Sequence, residues 1–348
     1  MTEAFSGKTV LVTGHTGFKG SWLSLWLLRL GAEVVGYSLA PDTEPSLFSQ
    51  LGLSGLMESR IGDVRDSKSL NAAFLSAKPE FVFHLAAQAL VRRSYEDPVN
   101  TFTTNVEGTA RVLEAVRKTD SVRVCQIITS DKCYENRESP RPYREDDPLG
   151  GHDPYSASKA CAEIAVSSWR RSFFRKGDVS VSSCRAGNVI GGGDWAEDRI
   201  VPDCIRSLMA GRDIPVRRPR SIRPWQFVLE PLSGYLMLAA AQRREPAKFA
   251  GAWNFGPQED KALTAAELVD RVIRRWGEGR WVAAEDPSAP HEAGLLRLDS
   301  GKARDILGWK PTYGVEQAVD ETVSWYRSSV KALERSQAQL AAYEAKAR

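Results

Sequence analysis

The sequence predicts an α/β protein: a doubly wound parallel sheet joined to a smaller, mostly C-terminal domain. Three observations carry that expectation. Short β-branched runs alternate with helical patterns through the first half of the chain. A glycine loop lies between the first run and the first helical pattern. Beyond Gly187 the alternation gives way to loops marked by Gly191–Gly193, Pro215, Pro219 and Pro224.

Taken in order, Thr9–Thr13 (TVLVT) reads as a buried strand. A helix follows from about Lys19, with Trp22, Trp26 and Leu30 on one face and Gly31 as its stop. Further strands are expected at Glu33–Tyr37, Ser59–Gly62, Phe81–Leu85, Arg123–Thr129 and Val179–Cys184, with helices at Ser67–Ala77 and Val99–Lys118 between them. Asp153 as N-cap and Pro154 in the first turn open another helix near Tyr155. A strand at Trp225–Val228 and a helix from about Pro231 are expected to return to the first domain. Helices near Thr264–Trp276, Ser300–Leu307 and Val315–Tyr326 complete the second. The expected division is therefore 1–190 with 222–255 returning to it, 191–221 with 256–330, and a solvated helical or frayed tail over 331–348.

With 348 residues, 42% hydrophobic and 26% charged, the chain has the composition of an ordinary globular protein. A net charge of +3 argues against a general nucleic-acid or membrane surface. The polar start, Met1–Gly7, lacks signal-peptide character, and the apolar stretch Trp22–Leu28 is too short to span a bilayer. Five cysteines without a C-x-x-C pair suggest reduced thiols in a cytoplasm. Histidines 15, 84, 152 and 291 lack metal-ligand spacing, so no metal is expected.

The loop Gly14-His-Thr-Gly17-Phe-Lys-Gly20 follows the first strand. Glycines there let the backbone approach a pyrophosphate, and the helix N-terminus favours the anion. The bland alternative is a tight turn without a ligand. No acid follows the second strand until Asp42, and no Arg stands there to hold a 2′-phosphate, so NAD is favoured over NADP by default. Asp63, with Val64 after it, is placed for the adenine edge or else caps its loop.

Tyr155 and Lys159 lie four apart on one helix face. A phenol titrates near 10 when unperturbed, and a neighbouring ammonium together with a cationic nicotinamide would favour the phenolate. Thr129, Ser130, Asp131 and Lys132 end the fifth strand at its carboxyl edge, where open α/β sheets bind ligands. A hydroxyl there would polarise the oxygen that Tyr155 deprotonates.

These motifs resemble the extended short-chain dehydrogenase/reductases of Rossmann type, and within them the CDP-glucose 4,6-dehydratases. The likeness rests on TGHTGFKG (13–20), HLAAQALVRRSY (84–95), the Asn105 region, TSDKCYEN (129–136), YSASK (155–159), RAGNVIGGGDW (185–195) and RPWQFVLEPL (223–232). The resemblance implies a cofactor site of Gly14, Gly17, Phe18, Lys19, Gly20, Asp63, Val64, Leu85, Ala86, Ala87 and Asn105, with Tyr155 and Lys159. It implies Ser130 as the hydroxyl, Asp131 as the acid, and Lys132 where dTDP-glucose enzymes carry Glu. Phe227 departs from the expected His. A homodimer through the helices near Val99–Lys118 and Tyr155–Trp169 is also implied.

The implied reaction turns CDP-glucose into CDP-4-keto-6-deoxyglucose. Tyr155, aided by Lys159 and Ser130, takes the C4 hydroxyl proton as hydride passes to NAD. Asp131 donates to the departing C6 hydroxyl, and hydride returns to C6. Lys132 or a water receives the C5 proton. Gln88 and Asn188 are expected at the substrate, and Arg223 and Arg199, with Arg206 behind them, at its diphosphate. A 4-epimerase, a simple reductase and a catalytically silent NAD sensor are the alternatives.

Overall fold

The computed structural model describes residues 1–174, 177–257, 263–284 and 294–347. Val10 and Val12 leave the first strand on one side and Leu11 on the other, and that alternation sets two helical layers. Strand β1 (Thr9–Thr13) leads into helix α1 (Phe18–Arg29), which closes one side with the buried Trp22 and Trp26. Then come β2 (Glu33–Ser38), β3 (Glu58–Ile61), α2 (Ser67–Ala77) and β4 (Phe81–His84). A helical stretch, Pro98–Phe102, passes through a π-turn at Thr103–Glu107 into α3 (Gly108–Arg117). Strand β5 (Val124–Ile128), α4 (Pro154–Phe173) and β6 (Ser180–Ala186) follow. Leu70, Val112 and Val166, from α2, α3 and α4, pack with Leu11 on the second side.

These six strands lie within two residues of the expected ends. After α5 (Ile200–Met209) and α6 (Leu229–Arg244), a further strand, β7 (Gly251–Phe255), joins the sheet; it was not anticipated. Its run Gly-Ala-Trp-Asn-Phe is short and opens on a glycine, so periodicity gives it little signal. The order is β7-β6-β5-β4-β1-β2-β3, and every pairing is parallel. This is a doubly wound Rossmann-type sheet.

The expected strand at Trp225–Val228 shrinks to Gln226–Phe227, paired in parallel with Val189–Ile190. Phe227 is fully buried against Tyr313 in the core and does not line the cavity described below. Helix α7 (Ala265–Trp276) starts with a capping box in which Thr264 and Glu267 satisfy each other's backbone donors. Residues 301–307 are helical, as expected, with a π-turn at Ala303–Leu307, ahead of α8 (Val315–Arg327).

The tail is a helix, α9 (Ala332–Lys346), but not the solvated one expected. Leu340 and Tyr343 are buried, Tyr343 donates to Glu230 Oε2 at 2.8 Å, and Trp26 Nε1 donates to Glu344 Oε1 at 2.8 Å. An Ala/Glu/Gln/Lys composition hides two well-placed anchors. No described helix is long and apolar enough to cross a membrane, and the described cysteines are free thiols. His291 lies outside the described residues.

Candidate active site

Strand ends place the site. The carboxyl edges of β1, β4, β5 and β6 open onto one cavity of about 1560 Å³, larger than the few hundred to a thousand Å³ of a single small-ligand pocket. It therefore has room for two ligands.

Its floor at one end is the glycine loop. Gly14 has φ +75°, and a Cβ there would stand 2.6 Å from Ala86 N. A Cβ on Gly20 would stand 2.0 Å from Gly14 O, so neither position tolerates a side chain. Gly17 faces the cavity with Phe18 and Lys19, while Val64, Leu85, Ala86 and Ala87 wall it. The backbone is thus left bare where a pyrophosphate would approach the start of α1, and the residues present fit a dinucleotide. Burial, and then Arg199, lowers Lys19 to about 8, against the pull of Asp131.

Asp63 lines the cavity, but Arg65 holds its carboxylate: Nη2 to Oδ2 is 2.6 Å, and Arg65 N donates to Oδ1 at 2.8 Å. Asn105 does not line it. The π-turn swings its amide inward, where Oδ1 accepts from Gln88 N at 2.8 Å and Nδ2 donates to Gln88 O at 3.0 Å and Ser158 Oγ at 2.9 Å. Asn105 acts as a strut beneath Gln88, which does face the cavity.

The residues expected to react converge at the end of β5. Thr129 Oγ1 donates to Glu163 Oε1 at 2.5 Å and so is committed to the core. Ser130 Oγ instead donates to Asp131 Oδ1 at 2.9 Å and stands close enough to the Tyr155 phenol to favour its ionised form. The two neighbouring hydroxyls thus have different partners. Lys159 Nζ sits 6.0 Å from the Tyr155 ring centre and donates to Ile128 O at 3.4 Å. Lys132 Nζ lies 3.9 Å from Asp131 Oδ1.

The expectation that a neighbouring ammonium draws the phenol down is corrected for the protein's own groups. Burial dominates and pushes Tyr155 up to about 12; the Ser130 hydroxyl pulls it down and Asp131 pushes it up. Burial also lowers Lys159 to about 8, opposed by Glu163.

The expected diphosphate cations divide. Arg199 lines the cavity with Nη1 2.9 Å from Asp194 Oδ2. Arg223 lines it too, and donates to Ile222 O at 2.9 Å and Gly294 O at 3.0 Å. Arg206 does not; it ties down the Trp195 and Ala196 carbonyls and pairs with Asp203. Asn188 faces the cavity with Oδ1 buried and without a partner. Among the described residues no His/Cys/Asp/Glu group is set to hold a metal. Sequence reasoning missed Glu163, although it lies four residues beyond Lys159 on the same helix face, and it missed Asp194, which stands in the quoted GGGDW run.

Residues 11–322 match the family profile described as GDP-mannose 4,6 dehydratase. The chain is 49% identical over 332 residues to the CDP-glucose 4,6-dehydratase of Salmonella typhimurium, covering 94% of this chain and 92% of that protein. It resembles the solved Thermus thermophilus UDP-glucose 4-epimerase in complex with NAD, with TM-score 0.80, 26% identity, and coverage of 92% of this chain and all (100%) of that one. A dTDP-glucose 4,6-dehydratase from Streptomyces venezuelae, at 23% identity and TM-score 0.78 over 92% and 97% of the two chains, shares the fold.

Proposed function

We propose that this chain, which belongs to the GDP-mannose 4,6 dehydratase family, is an NAD-dependent hydro-lyase that converts CDP-glucose to CDP-4-keto-6-deoxyglucose. One observation carries the reading: an acid, Asp131, held by the Ser130 hydroxyl, lines the same cavity as the Tyr155 phenol. A 4-epimerase has use for the phenol but none for an acid beside it. Cytosine as the base rests on the 49% identity to the Salmonella CDP-glucose enzyme.

Gly14, Gly17, Gly20, Lys19 and the Val64 and Leu85–Ala87 walls would hold NAD, which when bound accepts hydride from C4 and gives it back to C6. Tyr155 receives the C4 hydroxyl proton, and Lys159 steadies the negative charge on the phenol oxygen. The new ketone acidifies C5–H. Asp131 protonates the C6 oxygen as it leaves, and Lys132 or a water carries the C5 proton. Arg199 and Arg223 would hold the diphosphate, with Gln88 and Asn188 near the sugar.

The same reading includes a homodimer. Val99 (72% exposed) and Ile164 (58%) are bare on the two helices that resemblance assigns to its interface. A cytoplasmic site and a product feeding deoxysugars of surface polysaccharide complete it.

Incubation with CDP-glucose and NAD tests the proposal. The expected product is about 18 mass units lighter, the mass of water, with no net NADH growth. Unchanged mass with a new isomer makes the protein an epimerase, and stoichiometric NADH makes it a plain dehydrogenase.

A further inference from the structure

On the dehydratase reading, on which this inference rests, the C6 hydroxyl of the sugar has to reach the Asp131 carboxyl. That carboxyl is nearly closed off, since Asp131 is 2% exposed. The wall beside it thins at Gly187, just past the end of β6. Gly187 has a negative φ, so its backbone does not call for glycine. The space around it does. A Cβ there would stand 3.1 Å from Asp131 Oδ2 and 3.7 Å from Asp131 Cγ, with Pro224 Cγ next at 3.8 Å.

The two oxygens of Asp131 differ. Oδ1 accepts from Ser130 Oγ at 2.9 Å and faces Lys132 Nζ at 3.9 Å. A donor and a cation both favour negative charge on Oδ1, so the neutral acid carries its proton on Oδ2. Among the described residues none hydrogen-bonds Oδ2, the oxygen turned toward Gly187. Gly187 and Asp131 both line the cavity, and Asn188, the next residue, brings a buried Oδ1 without a partner to it.

We propose that Gly187 sets specificity at C6 of the sugar: its missing side chain leaves the gap through which the primary hydroxyl meets Asp131 Oδ2. The distances favour oxygen over carbon. Carbon atoms pack at about 3.5–4.0 Å, whereas an O–H···O bond spans about 2.5–3.0 Å. At 3.1 Å from Oδ2 a methyl is crowded, while a hydroxyl oxygen needs only a small approach to bond. Pro224 closes the far side, so the gap holds one hydroxyl and rejects a larger group. The unpartnered Asn188 Oδ1 offers the same sugar an acceptor.

Elimination through this gap balances. The Oδ2 proton joins the C6 oxygen, the C6–O bond breaks with its electrons on oxygen, and water departs. The C5–H bonding pair becomes the C5–C6 double bond, and the C5 proton goes to Lys132 or a water. Asp131 is left a carboxylate, which regains its proton from water before the next turnover.

The test sets a hexose against a pentose. CDP-xylose keeps the C4 hydroxyl but has no C6, so it does not use the gap. In a Tyr155→Phe background neither sugar is oxidised, and both can be titrated calorimetrically into NAD-loaded enzyme. Adding Gly187→Ala should weaken CDP-glucose binding by about tenfold, the low end of what one misfitted methyl costs, and leave CDP-xylose binding as it was. Equal losses for the two sugars, or no loss for either, overturn the proposal. A second measurement needs no variant: CDP-6-O-methylglucose, too large for the gap, should inhibit the wild type at least about tenfold more weakly than CDP-xylose. Inhibition as strong as that of CDP-xylose overturns the gap. A wild type that gives no dehydrated product from CDP-glucose defeats the dehydratase reading, and this inference with it; product mass tells that failure from a loss of discrimination at C6.

Discussion

Arg185 Nη2 donates to Glu163 Oε2 at 2.7 Å, with the two side chains only 4% and 3% exposed. Ser183 donates to the same carboxylate oxygen at 2.6 Å, and Arg185 Nη1 continues to the Tyr134 hydroxyl at 2.7 Å. With Thr129 on the other oxygen, the pair grips both flanks of the Ser130–Lys132 turn and fixes it to α4, the helix that carries Tyr155 and Lys159. Burial alone would raise the Glu163 carboxyl, but Arg185 and the hydroxyl donors hold it below its usual range.

Removing one partner of such a pair strands the other. Glu163→Gln should destabilise the protein by about 3–5 kcal/mol, because Arg185 is left charged and buried. Thr129→Val removes one hydrogen bond and should cost only about 1 kcal/mol. Urea denaturation of both variants checks the contrast; equal costs would mean that Arg185 finds another partner.

We propose that Lys132 serves elimination and not the first hydride step. Its Nζ lies 3.9 Å from Asp131 Oδ1 and its side chain is 24% exposed, at the cavity's edge. Lys132→Met should still bind NAD and form NADH with CDP-glucose, then stall before losing water. Rapid mixing with C5 hydrogen exchange in heavy water reads this directly. Wild-type exchange and dehydration in the variant would reduce Lys132 to a loop-ordering ion pair.

Periodicity makes the first six strands legible, because a buried parallel strand needs a continuous apolar run such as TVLVT or FVFH. It fails for β7, whose packing comes from Trp253 and Phe255 meeting residues far away in sequence, and for α9, whose polar composition masks Leu340 and Tyr343. Helix spacing brings Tyr155 and Lys159 together, and the strand end locates Ser130 and Asp131. Which of two adjacent hydroxyls faces the phenol is decided by Glu163, thirty-odd residues downstream, and one-dimensional spacing does not carry that choice. Arg206 shows the reverse case: a cation in a basic region whose two terminal nitrogens go to local carbonyls and Asp203.

Arg223 is 9% exposed and lines the cavity. Arg223→Ala should weaken CDP-glucose binding by about 1.5–3 kcal/mol, the range for hydrogen bonds to charged groups. Because Arg223 also holds Ile222 O and Gly294 O, thermal unfolding must accompany titration calorimetry. A folded variant with wild-type affinity would remove Arg223 from the diphosphate site.

Two buried histidines should make stability fall in mild acid. His84 is lowered from 6.5 to about 3, by burial first and then by Lys159; its Nδ1 meets Thr13 Oγ1 at 2.7 Å and its Nε2 meets Thr109 Oγ1 at 3.1 Å. His15 is lowered to about 4, again by burial. Both stay neutral in the folded protein while the unfolded chain takes up protons below 6.5. Their contribution is therefore complete above pH 6.5 and is lost as pH falls toward about 3 and 4, by up to about 1.4 kcal/mol per pH unit for each. Glu230, raised by burial to about 6, works in the opposite sense between its folded value and the ordinary 4.5, so the wild-type curve is shallower than the two histidines alone would make it. The difference between variants isolates one group. His84→Gln should lose stability with a slope lower by about 1.4 kcal/mol per pH unit between pH 6 and 5, whatever constant cost the substitution carries. Urea midpoints at three pH values measure it, and parallel curves for wild type and variant would show that His84 titrates normally in the folded protein.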